Sequence, residues 1–260
     1  MSAQPDEDAR PASAAESVAT QPVRALLLDL DDTLIDTRAA MVAAATHAAG
    51  ELWPELPADV AAEFGLLHYT DPARNFELYA DGVVTFDEMR LARYDHARGV
   101  FGVSEADGGV DSFERLYGAQ LRAGLALFAD ALPLLDAADG RGLPMVLVTN
   151  SSADLTEVKL AATGLAGRFC GVITADTFGA GKPDPRVFAA AIDAVGVPAG
   201  KVLSVGDNLV RDVLAAVEHG LQGRWLARDG GAHEYSADPR EADPGVGVVT
   251  SLSEVVTLLD

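Results

Sequence analysis

Three features of the sequence predict an α/β architecture with a doubly wound parallel sheet. Short apolar runs alternate with helix-compatible stretches, each run ends in polar residues, and one interval between consecutive runs is about a hundred residues long. Near-continuous apolar strands separated by helices build a parallel sheet covered on both faces. The expected fold is a Rossmann-like core at 22–36 and 128–260. An all-helical domain is inserted at 37–127, and a disordered leader occupies 1–21.

The leader, MSAQPDEDARPASAAESVATQ, is rich in Ala, Pro, Ser and acids and has neither a basic start nor a continuous apolar stretch, so it does not read as a secretory signal. The first strand is VRALLLDL (23–30). The long interval after it is helical by periodicity: Phe113, Leu116, Tyr117 and Leu121 fall on one helical face. Segments near 37–49, 57–67, 72–80 and 85–98 are helix-compatible between Pro and Gly breaks. The later strands are PMVLVT (144–149), FCGVIT (169–174), KVLSVG (201–206) and QGRWLA (222–227). Asp184 is placed to cap a helix that has Pro185 in its first turn and Val187, Phe188, Ala191, Ile192 and Val195 on its apolar face. Leu209, Val213, Ala216 and Val217 repeat that spacing after the fourth strand.

Composition excludes some functions. The 260 residues carry 19 basic and 40 acidic side chains, a net charge of −21, which disfavours binding to a nucleic-acid duplex or an anionic membrane surface. The insertion is itself acidic, with 15 acids against 7 arginines over 36–128. Cys170 is the single cysteine; it permits no intrachain disulfide and, at a strand start, reads as a small core residue. No apolar run approaches the ~20 residues of a membrane-spanning helix, so the expected location is the cytoplasm. Lysines are scarce (Lys159, Lys182 and Lys201), so a lysine that stands in a chemical context is a candidate for function.

In open α/β sheets the ligand site lies beyond the carboxyl ends of the strands. Asp29, Asp31, Asp32 and Thr33 follow the first apolar run; Thr149 and Asn150 follow the second; Gly206, Asp207 and Asn208 follow the fourth, with Asp212 a turn later. Lys182 precedes the Asp184-capped helix. Asp29 and Asp31, two apart on a strand end, can face the same way. Carboxylates this close repel, and a cation or a retained proton resolves the conflict. A Mg²⁺ ion held by the Asp29 carboxylate, the Asp31 carbonyl, Asp207 and waters would have suitable oxygen ligands, leaving the Asp31 side chain free for proton transfer.

Asp29-Leu30-Asp31-Asp32-Thr33, Thr149 after a strand, Lys182 in Gly-Lys-Pro-Asp-Pro, and Gly206-Asp207 followed by Asp212 resemble, in the correct order, the four motifs of the haloacid dehalogenase superfamily. The resemblance spans residues 23–228, and the position of the insertion resembles that superfamily's helical cap of the first type. It implies a phosphatase in which Asp29 is the nucleophile and Asp31 the general acid and base. Thr149 and the Asn150 amide would hold phosphoryl oxygens, and Lys182 would neutralise the nucleophile and the phosphoryl group. Asp29, Asp31 and Asp207 would hold Mg²⁺. Asp212 stands behind them, reaching the metal through water or orienting Lys182.

Halide-displacing members resemble Asp-x-Tyr-Gly-Thr and lack the second aspartate, so Asp31 argues against that chemistry. The stretches at 29–37 and 205–221 look closest to N-acylneuraminate-9-phosphatase and pyrimidine 5′-nucleotidase. The expected substrate is a small phosphorylated metabolite, a sugar phosphate or a nucleoside monophosphate. A sugar phosphomutase on the same scaffold and a non-catalytic binding protein are the alternatives, and monomer and homodimer both stay open. Asp32 and Thr33 read as residues that tie down the loop. Arg38, His68, Tyr69, Arg74, Arg90, Arg93, Tyr94 and Arg122 could reach a leaving group, although a solvated helix face with arginines paired to acids is the simpler account of each.

Overall fold

The computed structural model describes residues 21–228 and 246–259. Six parallel strands form one sheet in the order β3-β2-β1-β4-β5-β6. They are β1 (Ala25–Leu28), β2 (Met145–Val148), β3 (Gly171–Ile173), β4 (Val202–Gly206), β5 (Gln222–Leu226) and β6 (Val246–Val249). β1 pairs with both β2 and β4, Leu28 lying opposite Leu147 on one side and Val205 on the other. The chain order reverses between β1 and β4, the place where this topology opens a crevice at the strand ends.

The alternation of side chains along the strands divides the core into two layers. Leu26 and Leu28 pack with α6 (Ala131–Gly140) and α11 (Leu252–Val256) on one face. Ala25 and Leu27 pack with α9 (Pro185–Val195) and α10 (Ala215–Glu218) on the other. Two more helices follow strands: α7 (Ala153–Thr163) after β2 and α8 (Ala175–Phe178) after β3. Asp184 caps α9 by accepting from the Arg186 amide, with Pro185 in the first turn, as the sequence leads one to expect.

Between β1 and β2 the chain forms five further helices: α1 (Thr37–Leu52), α2 (Ala58–Thr70), α3 (Asn75–Ala80), α4 (Phe86–Phe101) and α5 (Gly109–Gly124). Of these, α1, α2, α4 and α5 share an apolar centre of their own, in which the Ala40, Ala44, Ala45, Ala48 and Ala49 face of α1 meets Phe64, Tyr94 and Phe113. Small residues on α1 let α2 approach closely. A methyl group on Gly65 would overlap Thr46 Oγ1 and lie 2.6 Å from the Val42 carbonyl oxygen.

The structure departs from the sequence-based expectation at three points. β6 is a strand that periodicity did not single out, because Val246–Val249 is four residues long and holds a glycine. The stretch after β4 begins as a π-helix, Leu209–Leu214, before continuing as α10. Cys170 is exposed and not a core residue, because it precedes the short edge strand β3, where its backbone amide donates to the Met145 carbonyl oxygen. Residues 1–20 of the expected leader and the loop residue His233 lie outside the described residues. Among the described residues no helix is long and apolar enough to cross a membrane.

Candidate active site

The site is built where β1, β2 and β4 end. Asp29 continues β1 by one residue, its amide donating to the Val205 carbonyl, and its side chain is buried. Lys182, 2% exposed, places its ammonium 2.7 Å from Asp29 Oδ1, 2.6 Å from Asp212 Oδ1 and 2.6 Å from the Val148 carbonyl oxygen. Its three N–H donors therefore have three acceptors. Burial alone would lower the Lys182 pKa, but Asp212 and Asp29 more than offset it and hold the ammonium protonated. Asp29 Oδ2, by contrast, is buried with no hydrogen-bond partner among the described residues.

The other positions follow from local hydrogen bonds. The Asp207 amide donates to Thr33 Oγ1 and its carbonyl accepts from Trp225 Nε1, so both sides of its peptide are held. Asp212 Oδ2 accepts the Asn208 amide, and the Asp212 carbonyl accepts Ser204 Oγ. Gly206 is required here, because a methyl group on it would overlap the Asp212 carboxylate. Asn150 uses its side chain to hold the Lys182 loop, donating to the Lys182 carbonyl at 2.9 Å and accepting its amide at 2.7 Å. Thr149 is buried, with Oγ1 accepting the Ser151 amide.

Asp31 has its own cation. Lys159 Nζ lies 2.6 Å from Asp31 Oδ1, and Thr37 Oγ1 donates to the same oxygen at 2.6 Å. Oδ2 faces Thr149 Oγ1 at 3.4 Å. Burial pushes the Asp31 carboxyl up, but the Lys159 ammonium, the Thr37 hydroxyl and Lys182 together outweigh it and leave the group below its ordinary value. Asp32 turns away with a positive φ of 57° and accepts the Arg38 amide and the Tyr69 hydroxyl, the latter at 2.6 Å. That is the loop-tying role expected of it.

Asp29, Asp207 and Asp212 bring carboxylate oxygens within 4.8 Å of one another. Burial, together with the neighbouring Asp212 and Asp31 charges, pushes Asp29 up to about 7 despite Lys182. Burial and Asp29 likewise push Asp207 well above the usual range. Hard oxygen donors that disfavour their own ionised state, one with an unpartnered buried oxygen, fit a hard divalent cation.

The structure thus brings Asp29, Asp31, Thr149, Asn150, Lys182, Asp207 and Asp212 to one crevice. Lys159 and Thr37 join them without having been expected there. The scarcity of lysine was the one signal that pointed to Lys159. Of the arginines in the insertion, Arg74 pairs with Glu77, Arg90 with Asp87 and Glu114, and buried Arg93 donates to the His68 carbonyl. Of the eight candidates, Tyr69 through its hydroxyl and Arg38 through its backbone amide both donate to the Asp32 carboxylate.

A family model described as haloacid dehalogenase-like hydrolase matches residues 23–220. Phosphoserine phosphatase of Thermus thermophilus is 38% identical over 113 residues, 44% of this chain and 45% of that protein. Pyrimidine 5′-nucleotidase YjjG of Escherichia coli is 32% identical over 133 residues, covering 50% and 55% respectively. The chain thus spans about half the length of these curated relatives. Among solved structures, the putative HAD-hydrolase YfnB from Bacillus subtilis, bound to magnesium, superposes with a TM-score of 0.70 at 24% identity, covering 92% of this chain and all of that one. The L-2-haloacid dehalogenase RSc1362 gives 0.69 at 19% identity, covering 92% and 99%. At these identities the two structures speak for the fold.

Proposed function

The chain belongs to the haloacid dehalogenase-like hydrolases, and from that premise we propose that it is a Mg²⁺-dependent phosphatase of a small phosphorylated metabolite in the cytoplasm. The observation that carries this reading is the pairing of two aspartates with two lysines: Asp29 with Lys182, and Asp31 with Lys159. A second carboxylate beside the nucleophile is what phosphoryl transfer to water needs, because a proton must reach the leaving alcohol and another must leave the attacking water. Displacement of a halide needs no such donor. The curated relatives named as phosphatases or nucleotidases support the same choice.

Asp29 and Asp207 would hold the Mg²⁺, together with the Asp31 carbonyl, with Asp212 behind them holding Lys182. When bound, the ion supplies positive charge that offsets the repulsion between nucleophile and phosphoryl group. Asp29 Oδ2, which has no hydrogen-bond donor of its own, attacks phosphorus and forms an aspartyl-phosphate. Lys182 holds Oδ1 and neutralises charge. The Thr149 hydroxyl and the Asn150 amide take phosphoryl oxygens. Asp31 protonates the departing alcohol and then takes a proton from water. A phosphoryl dianion beside Asp31 favours its protonated form for the first step, and the carboxylate left after that step is the acceptor for the proton of the attacking water in the second. Uncatalysed phosphomonoester hydrolysis is slow enough that enhancements reach about 10²¹, so several positioned charges are required.

Phosphate release from a panel of sugar phosphates and nucleoside monophosphates, with Mg²⁺ present, tests the reading. Activity on at least one ester, its loss in Asp29→Asn by at least about 10⁴-fold, and its loss in EDTA with recovery on added Mg²⁺ are expected. An unchanged rate in Asp29→Asn removes the nucleophile assignment, and a product that keeps its phosphate while its isomer changes identifies a mutase.

A further inference from the structure

Lys159 belongs to none of the segments that pointed to the site. It stands within α7, and its side chain is 4% exposed, so its ammonium has given up water and needs protein acceptors. It has two: Asp31 Oδ1 at 2.6 Å and Ser151 Oγ at 3.2 Å. Lys182 cannot substitute for it, because all three donors of that ammonium are committed to Asp29, Asp212 and the Val148 carbonyl. On Asp31 both close donors, Lys159 and Thr37, converge on the single oxygen Oδ1. The other oxygen, Oδ2, is the one on the Thr149 side, where the phosphoryl group is placed. An aspartate side chain has only two torsions, and two donors fixed on one oxygen set both.

We propose that Lys159 is a positioning residue for the acid and base: it pins Asp31 through Oδ1 so that Oδ2 faces first the leaving oxygen and then the attacking water. Through Ser151 the same ammonium ties Asp31 to the loop that carries Thr149 and Asn150, so the proton donor and the phosphoryl-binding loop keep one register. The role rests on the phosphatase reading. As the bond from phosphorus to the alcohol oxygen breaks, the proton on Oδ2 passes to that oxygen. When water then bonds to phosphorus and the bond to Asp29 breaks, Oδ2 takes the proton back. Lys159 keeps all its protons throughout.

Leaving-group dependence separates this role from a merely structural one. Full-length Lys159→Met and Lys159→Gln are assayed with Mg²⁺ on p-nitrophenyl phosphate, whose leaving group departs without a proton, and on an alkyl phosphomonoester. The ratio kcat/KM reports the steps up to the aspartyl-phosphate. For Lys159→Met it should fall about 100-fold on the alkyl ester and less than about 5-fold on the nitrophenyl ester. Lys159→Gln, which keeps a donor, should fall between Met and wild type. A crystal structure of Lys159→Gln should show the Asp31 carboxylate turned from its wild-type rotamer. Equal losses on both esters, no loss on either, or an unmoved Asp31 overturns the positioning role. A wild-type chain that releases phosphate from neither ester overturns the phosphatase reading, and the positioning role with it. Should Lys159→Met fail to fold, Lys159→Gln and Thr37→Val carry the comparison, because the signature is a ratio between two substrates of one preparation.

Discussion

Asp29, the proposed nucleophile, has a charge that is set by its neighbours. Burial, Asp212 and Asp31 push its carboxyl up to about 7, against the pull of Lys182. Its ordinary value is 3.8, so between those limits the folded protein binds a proton that the unfolded chain has released. Stability of the metal-free protein therefore falls as pH rises across that window, by up to about 1.4 kcal/mol per pH unit for one such group. Asp207, also raised, adds in the same direction. Asp31, held below its ordinary value, contributes stability that is present above that value and lost on acidification, outside the window. The melting temperature in EDTA should decline from pH 5 to pH 7, and Asp29→Asn should decline less steeply. Millimolar Mg²⁺ should flatten the wild-type curve, because a cation favours the ionised carboxylates. Scanning fluorimetry reads all three curves, and parallel slopes for wild type and Asp29→Asn would remove Asp29 as the source.

Elements differ in how far a sequence reveals them. β1, β2 and β4 were legible because buried parallel strands are continuous apolar runs, and α9 was legible because Asp184 and Pro185 mark its start. The five site residues that follow strand ends (Asp29, Asp31, Thr149, Asn150 and Asp207) were legible for the same reason, whereas Lys182 and Asp212 were found from the motifs they complete. Lys159 and Thr37 were not: Lys159 meets Asp31 across 128 positions of chain, and nothing in helical periodicity tells a lysine turned inward from one in solvent. Thr37 is simply the first residue of α1. Two glycines show what close approach does at the level of elements. Gly206→Ala would push the Asp212 carboxylate off Lys182, so phosphate release should drop by at least about 100-fold alongside a stability loss of about 1–3 kcal/mol. Gly65→Ala forces α2 away from α1, far from the strand ends, and should cost comparable stability while the folded fraction keeps its turnover. Denaturant melts and initial rates on both variants give the contrast, and a Gly206→Ala protein with wild-type turnover would remove Asp212 as the support for Lys182.

At the scale of the whole molecule, the helices of residues 37–124 and the sheet have separate apolar centres, so their coupling depends on what bridges them. On one side Tyr69 of α2 donates to Asp32 in the catalytic loop. On the other, Tyr79 of α3 and Met89 of α4 pack on Ala175 of α8, in a small cluster joined by Val84 and Phe86. Hydrogen bonds surround that cluster: the Gly181 amide donates to the Ala80 carbonyl at 2.8 Å, Tyr79 reaches Asp176 at 3.3 Å, and Arg211 bridges Asp81 and the Lys182 carbonyl. The second bridge thus rests on the loop that carries Lys182, and helix docking and lysine placement are one structural event. Exposed ion pairs such as Arg211–Asp81 contribute little by themselves, so the buried Tyr79 ring is the dominant part of the bridge. Tyr79→Ala should cost about 3 kcal/mol and uncouple the two bodies. Amide hydrogen exchange should accelerate in residues 75–84 and 174–182 and stay at wild-type rates in β1 and β4, with KM rising because the lysine loop is no longer held. Uniform acceleration through the sheet would instead make Tyr79 part of one undivided core, and the helical insertion would then have no independent movement with which to close over a substrate.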